Sequence, residues 1–168
     1  RIKDLVDSYH PDLLYTDGGV PFGEVGRTLI AHFYNADIQR RSGLEPIPTS
    51  HAELRVAMEV QHQARSGVVY TCKAGMNKGE FVQGSYVQDM ERGVLAGINP
   101  LPWQTDTSIG DWFYNQNWKT KDTGKMYRTA DWVVRTLADI VSKNGNLLLN
   151  VIQRPDGSLD PEVEQLLA

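Results

Sequence analysis

The stretch DLLYTDGG, residues 12–19, decides the fold. An apolar run, Leu13-Leu14-Tyr15, ends in Thr16, Asp17 and two glycines. Asp-Gly flanked by apolar residues is a strong hairpin signal, because both residues tolerate the positive φ of a tight turn. The same residues also suit the carboxyl end of a strand in a parallel sheet. There an acid can face a ligand while the glycines leave it room. The next residues separate the two readings. A return strand would have to begin Gly19-Val20-Pro21-Phe22, and Pro21 removes a ladder donor. DLLYT (12–16) is therefore expected to be a short buried strand that enters a glycine-rich loop.

Outward from this strand, the sequence alternates. Ile2, Leu5, Val6 and Tyr9 fall at helical spacing over residues 1–9, and His10-Pro11 ends that helix. Residues 25–39 read as a helix with Leu29, Ile30, Phe33 and Tyr34 on one side. A loop covers 40–50, and a further helix is expected over 51–65, although Val56 and Val60 blur its phase. VVYTC (68–72) is β-branched and aromatic between glycines and reads as a second strand. Residues 76–99 are loop-rich, with an extended piece around Phe81 to Val87.

PLPWQTD (100–106) holds a short third strand, followed by a polar, aromatic loop to about residue 128. Residues 129–143 form the clearest helix, with Thr129 as its N-cap and Lys143 and Gly145 at its end. NLLLNVI (146–152) is a fourth strand, apolar on both faces as in a covered parallel sheet. A turn, RPDG (154–157), leads to a last helix. Strands that alternate with helices imply a parallel α/β sheet with right-handed crossovers. The long loops all follow strands, where such folds build their sites.

Composition narrows the function. A net charge of −4 with scattered Lys and Arg gives no footprint for nucleic acid. The single cysteine, Cys72, excludes a disulfide within the chain and argues against a cysteine zinc site. No apolar run is long enough to span a membrane. The four histidines lack metal-binding spacing, and neither GxSxG, GxxxxGK[ST] nor GxGxxG occurs. RIKDLVDSYHPD at the start reads as the end of a helix and DPEVEQLLA as a helix cut short. The chain is thus expected to be a piece of a longer one.

Polar residues gather where the strands finish. Asp17 follows the first, Lys73 the second, Gln104 and Asp106 the third, and Asn150 ends the fourth. Each has a plain alternative: a turn aspartate, a loop lysine, an asparagine that satisfies backbone. Four polar strand ends fit a shared pocket better than four unrelated surfaces. Trp103, Trp112, Phe113, Tyr114 and Trp118 lie among Gln, Asp, Thr, Asn and Gly rather than on a helical stripe, which favours a ring-stacking surface over a core. With phosphate cradles and metal clusters set aside, carboxylates remain. Two of them flanking a bond are what glycoside cleavage requires.

At this point four segments in order become recognisable: HPDLLYTDGG (10–19), DMERG (89–93), PLPWQTDTSIGDWFYN (100–115) and VSKNGNLLLNV (141–151). Together they resemble family 29 α-L-fucosidases, and HFYN (32–35) is similar to the helix after the nucleophile loop in those enzymes. The resemblance implies a (β/α)₈-like TIM barrel. Residues 1–168 would be a single partial domain, the C-terminal part of the catalytic barrel, supplying about four β/α units. It implies retaining hydrolysis of terminal α-L-fucose through a covalent fucosyl-enzyme, with no metal or other cofactor. It also implies a secreted, periplasmic or lysosomal setting.

Carried over by motif, Asp17 is the nucleophile and Glu91 the acid/base, with Glu80 as the rival in the same loop. Glu91 would have to be protonated first, which burial or a neighbouring carboxylate would favour; its plain alternative is a surface ion pair with Arg92. A retaining pair should hold its carboxyls about 5–5.5 Å apart. Lys73 falls where many members have an arginine that contacts the sugar, and a lysine keeps the charge but loses the bidentate fork. Trp112 matches the aromatic that packs on the sugar.

The expected partners are a fucosylated oligosaccharide or glycoconjugate and the remainder of the parent chain, with neither nucleic acid nor membrane. The family's upstream sugar-binding histidines and tryptophan are not in this chain, so the chain alone is expected to be inactive. Two other readings stay open: a catalytically inactive module that binds fucosylated glycans on the same fold, and a haloacid-dehalogenase-type phosphatase. The latter would want a second acid at position 19, which is glycine.

Overall fold

The strand read from DLLYT spans Leu13–Thr16 (β1) and pairs in parallel with Val69–Lys73 (β2), Leu13 opposite Val69 and Thr16 opposite Cys72. The next element is a helix over Glu24–Ser42 and not a return strand, so Asp17-Gly18 is no hairpin turn. The computed structural model describes residues 1–20, 22–42, 66–73, 85–121 and 124–168. They fall into two compact units, Arg1–Val87 and Gln88–Ala168. The helix expected over 51–65 and the rival acid Glu80 lie outside the described residues.

In the first unit, α1 (Ile2–Tyr9) ends where His10 turns left-handed, at φ 48°, and donates its backbone N–H to the Val6 carbonyl. The crossover from β1 runs through α2 (Glu24–Ser42). Val6 of α1, Ile30 and Phe33 of α2, and Val68, Tyr70 and Cys72 at β2 form one buried cluster. The helical face read from Ile30 and Phe33 is therefore the one that covers the strands. The Tyr34 hydroxyl accepts from the Tyr70 amide (3.1 Å) and donates to the Ser85 carbonyl (3.0 Å).

A latch joins the end of α2 to the start of β2. The buried Asp37 carboxylate accepts from the Gly67 amide (2.7 Å), Arg41 Nε (2.6 Å) and Arg40 Nη2 (2.8 Å). Burial pushes this carboxyl up, but the hydrogen bonds from Arg41 and Gly67 and the charges of Arg41 and Arg40 outweigh it. The group ends below its ordinary value.

The second unit is built on three parallel strands. Gln88 and Asp89 of β3 (Val87–Asp89) lie opposite Trp103 and Gln104 of β4 (Trp103–Ser108). β4 in turn pairs along its whole length with β5 (Gly145–Asn150), from Trp103 opposite Gly145 to Ser108 opposite Asn150. The crossover helix α3 (Ala130–Ser142) starts as read from sequence, with the Thr129 hydroxyl accepting from the Trp132 amide. α4 (Pro161–Leu167) closes the chain. Ile109, Tyr127, Ile152 and Val163 form the core of this unit.

Several sequence expectations change. Five strands occur among the described residues, not four; β3 is only three residues long and carries one apolar side chain, too little for a pattern. β4 is six residues long, so Gln104 and Asp106 lie inside it and not beyond its end. Three of its buried polar residues find partners: Asn146 Nδ2 donates to Gln104 Oε1 (3.0 Å), Thr105 Oγ1 to the Met90 carbonyl (2.8 Å) and Ser108 Oγ to the Asp111 carbonyl (2.6 Å).

β1 and β5 are less covered than their apolar sequences imply: Leu13 and Leu148 are exposed. Gly145 is not the left-handed cap of α3. Asn144 takes that conformation, at φ 65°, and Gly145 opens β5 beneath the Trp103 indole.

Candidate active site

The glycine loop after β1 is fixed to the end of β2. The Gly18 carbonyl accepts from the Lys73 amide (2.8 Å), and Gly18 itself sits at φ 108°, where a side chain would be strained. Thr16 Oγ1 lies 2.6 Å from the Tyr70 hydroxyl and donates to the Gly19 carbonyl (3.3 Å). Burial raises the Tyr70 phenol well above its ordinary value, so it stays protonated at neutral pH as a hydrogen-bonding partner of Thr16.

This framework leaves Asp17 standing clear, with its side chain 85% exposed. Lys73, the last residue of β2, is the opposite case, with a side chain only 11% exposed. Its ammonium lies 3.9 Å from Asp17 Oδ1 and 5.9 Å from the centre of the Tyr15 ring. Burying a lysine head is costly unless negative charge or a π face is near, and both are. The unit thus presents a carboxylate to solvent with a sequestered positive charge beside it.

Glu91 and Trp112 belong to the second unit. Glu91 is exposed, so the burial expected for it is not seen. It sits in a turn directly after β3. Met90 N donates to the Gln104 carbonyl (2.9 Å), Arg92 N to the Asp106 carbonyl (2.8 Å) and Gly93 N to the Met90 carbonyl (3.1 Å). The first two of these carry the pairing with β4 past the end of the strand. The Arg92 guanidinium lies over the Trp112 indole at 4.5 Å from its centroid.

The Trp112 loop is pinned from β5. Asn150 Nδ2 donates to the Trp112 carbonyl (3.1 Å) and to Ser108 Oγ (3.1 Å). Asp111 accepts from the Trp112 amide through Oδ1 (2.8 Å) and from Asn115 Nδ2 through Oδ2 (3.0 Å). Trp112 is half-buried, and the neighbouring Phe113 is 83% exposed.

The four residues singled out in sequence thus form two local arrangements, Asp17 with Lys73 and Glu91's turn with Trp112. Asn150 proves to be a support for the loop. The sequence reading missed Arg92, Tyr70 and Ser108 as supporting groups. Arg92 and Tyr70 carry no local signal, since they act on the distant Trp112 and Thr16, and Ser108 joins its local bond to Asp111 with one from the distant Asn150. Among the described residues no group of three or more His, Cys, Asp or Glu side chains could hold a metal ion, and no helix is long and apolar enough to cross a membrane.

The fold recurs in solved proteins. The chain is similar in structure to an α-L-fucosidase at 24% identity and a TM-score of 0.62, covering 99% of this chain and 30% of that one. It is similar to α-L-fucosidase isoenzyme 1 from Paenibacillus thiaminolyticus at 19% identity and a TM-score of 0.59, covering 99% and 35%. A third is the Thermotoga maritima α-fucosidase in complex with a mechanism-based inhibitor, at 24% identity and a TM-score of 0.57, covering 99% and 30%. At these identities the likeness speaks for the fold, and the chain spans about a third of each solved protein. No individually curated protein sequence matches the chain. The sequence model for Alpha-L-fucosidase matches residues 1–168, and the chain therefore belongs to the α-L-fucosidase family.

Proposed function

We propose that the chain carries the two catalytic carboxyls of a retaining exo-α-L-fucosidase and supplies roughly the second half of its (β/α)₈-like barrel. The observation that supports this most is Asp17. In a chain of this family, an exposed carboxylate stands at a parallel strand end, on a loop whose glycine conformation and backbone bonds hold it there, with the Lys73 ammonium 3.9 Å away.

In this reading Asp17 attacks the anomeric carbon of a terminal α-L-fucose as the glycosidic C–O bond breaks. Glu91 gives its proton to the departing oxygen. Water then cleaves the fucosyl ester: its proton goes to Glu91, its oxygen to the anomeric carbon, and Asp17 leaves as a carboxylate with configuration retained. Lys73 offsets negative charge near the nucleophile, and Trp112 packs against the apolar face of the sugar. The substrate is a fucosylated oligosaccharide or glycoconjugate, and the rest of the sugar site comes from the remainder of the parent chain. Two carboxyls perform both steps, so EDTA should leave the rate unchanged.

The test is to inactivate the full-length enzyme with a 2-fluoro-fucosyl reagent and map the labelled peptide. The label is expected on Asp17; a label on any other residue overturns the assignment. A fucose-binding module without catalysis would show no turnover to lose in Asp17→Ala, and that result would decide for it.

A further inference from the structure

The turn that carries Glu91 has a feature its backbone does not call for. Arg92 sits at φ 50°, a conformation that suits glycine and that long side chains rarely adopt. Its amide is already satisfied by the Asp106 carbonyl at 2.8 Å. On backbone grounds alone glycine would serve better at this position. What arginine adds is its guanidinium, which lies 4.5 Å from the centre of the Trp112 indole. Trp112 is itself held through its carbonyl by Asn150 (3.1 Å), whose amide also bonds Ser108 at the end of β4. The turn is held from the other side by Thr105, whose hydroxyl donates to the Met90 carbonyl at 2.8 Å.

We infer that Arg92 is a positioning residue that braces the acid/base turn against the sugar-stacking ring. The inference rests on the fucosidase reading of Glu91 and Trp112. The strained backbone aims the arginine at the indole, and the cation–π contact ties the residue next to Glu91 to a loop anchored on β4 and β5. The acid is thereby set relative to the face on which the sugar lies. Proton transfer is sensitive to such placement because it requires hydrogen-bond distance to the departing oxygen. Arg92 acts through Glu91 and Trp112 and need not touch the substrate.

The experiment uses Arg92→Gly and Arg92→Lys in the full-length enzyme. Arg92→Gly keeps the turn's preferred backbone and removes only the brace. kcat/KM is measured on a nitrophenyl fucoside, whose leaving group departs with little acid help, and on a fucosyl disaccharide, whose sugar alkoxide needs a proton. Arg92→Gly is expected to lose on the order of tenfold or more on the disaccharide and little on the nitrophenyl fucoside. The basic limb of the disaccharide pH profile should move, and Arg92→Lys should restore part of the loss. An equal loss on both substrates, or none on either, overturns the inference while the fucosidase reading stands. Absence of fucoside turnover in the wild-type enzyme overturns both.

Discussion

Asp17 and Lys73 pair an exposed carboxylate with a sequestered ammonium. The carboxylate stands open to solvent, and Gly18 and Gly19 put no side chain beside it. The ammonium is largely removed from water, so its charge is felt at Asp17 with less screening than on an open surface. Asp17→Ala is expected to lower fucosidase kcat by orders of magnitude while fucoside binding by calorimetry persists. Lys73→Met should cost on the order of a hundredfold in kcat, the scale of losing one fixed electrostatic partner. Lys73→Arg should retain much more, because it keeps the charge and adds a second donor. Steady-state kinetics on the three variants check the order. The sequence showed that Asp17 ends a strand and that Lys73 ends another. It did not show that the lysine would be the buried member of the pair.

At the scale of elements, two junctions hold the crossovers. One is Asp37, which ties the end of α2 to the Gly67 amide that leads into β2. Its carboxyl sits below the ordinary value of 3.8 in the folded state. The stability it contributes is therefore complete above that ordinary value and is lost as pH falls through the lowered one. Asp37→Asn should lower the melting temperature at neutral pH and flatten its dependence on pH at the acid end, as read by thermal unfolding across pH. The other junction is Gly145, where a Cβ would come within 2.6 Å of the Trp103 ring and 2.8 Å of Ile140 Cγ2. Trp103 is fully buried and donates through Nε1 to the Lys143 carbonyl (2.9 Å), so it has no room to give. Gly145→Ala should destabilise by about 1–3 kcal/mol, the usual cost of overpacking, measured by denaturant unfolding. Thr129→Ala, which removes the α3 cap, should cost about 1 kcal/mol in the same measurement. The cap was legible because it is a local rule. The role of Gly145 was not, since the ring above it comes from residue 103.

At the scale of the whole molecule, apolar side chains of a helix and of two strands remain uncovered. Val134, Leu137 and Val141 of α3 and Leu13 and Leu148 of the strands are exposed, although parallel sheets are ordinarily covered on both faces. The chain spans 30–35% of the three solved α-L-fucosidases named above. The 168 residues produced alone should therefore show no measurable hydrolysis of a chromogenic α-L-fucoside and should enhance the fluorescence of an apolar-surface dye. Hydrolysis at the rate of a complete enzyme would overturn that expectation.

By itself the sequence determined the class of fold, the order of most elements and which residues are the candidates for chemistry. Strand-forming runs, helical spacing, the Thr129 cap and the proline that spoils a return strand all act within a few residues, and local sterics and hydrogen bonding decide them. Only the tertiary structure decided that the third strand runs on to Ser108 with its polar residues inside it, and that β3 exists. It alone showed that Lys73 is sequestered beside Asp17 and that Arg92 lies on Trp112. Each of these depends on partners distant in the chain. A polar or short segment becomes a strand only when a neighbour satisfies its hydrogen bonds, and a charge is buried only where the fold brings it a partner.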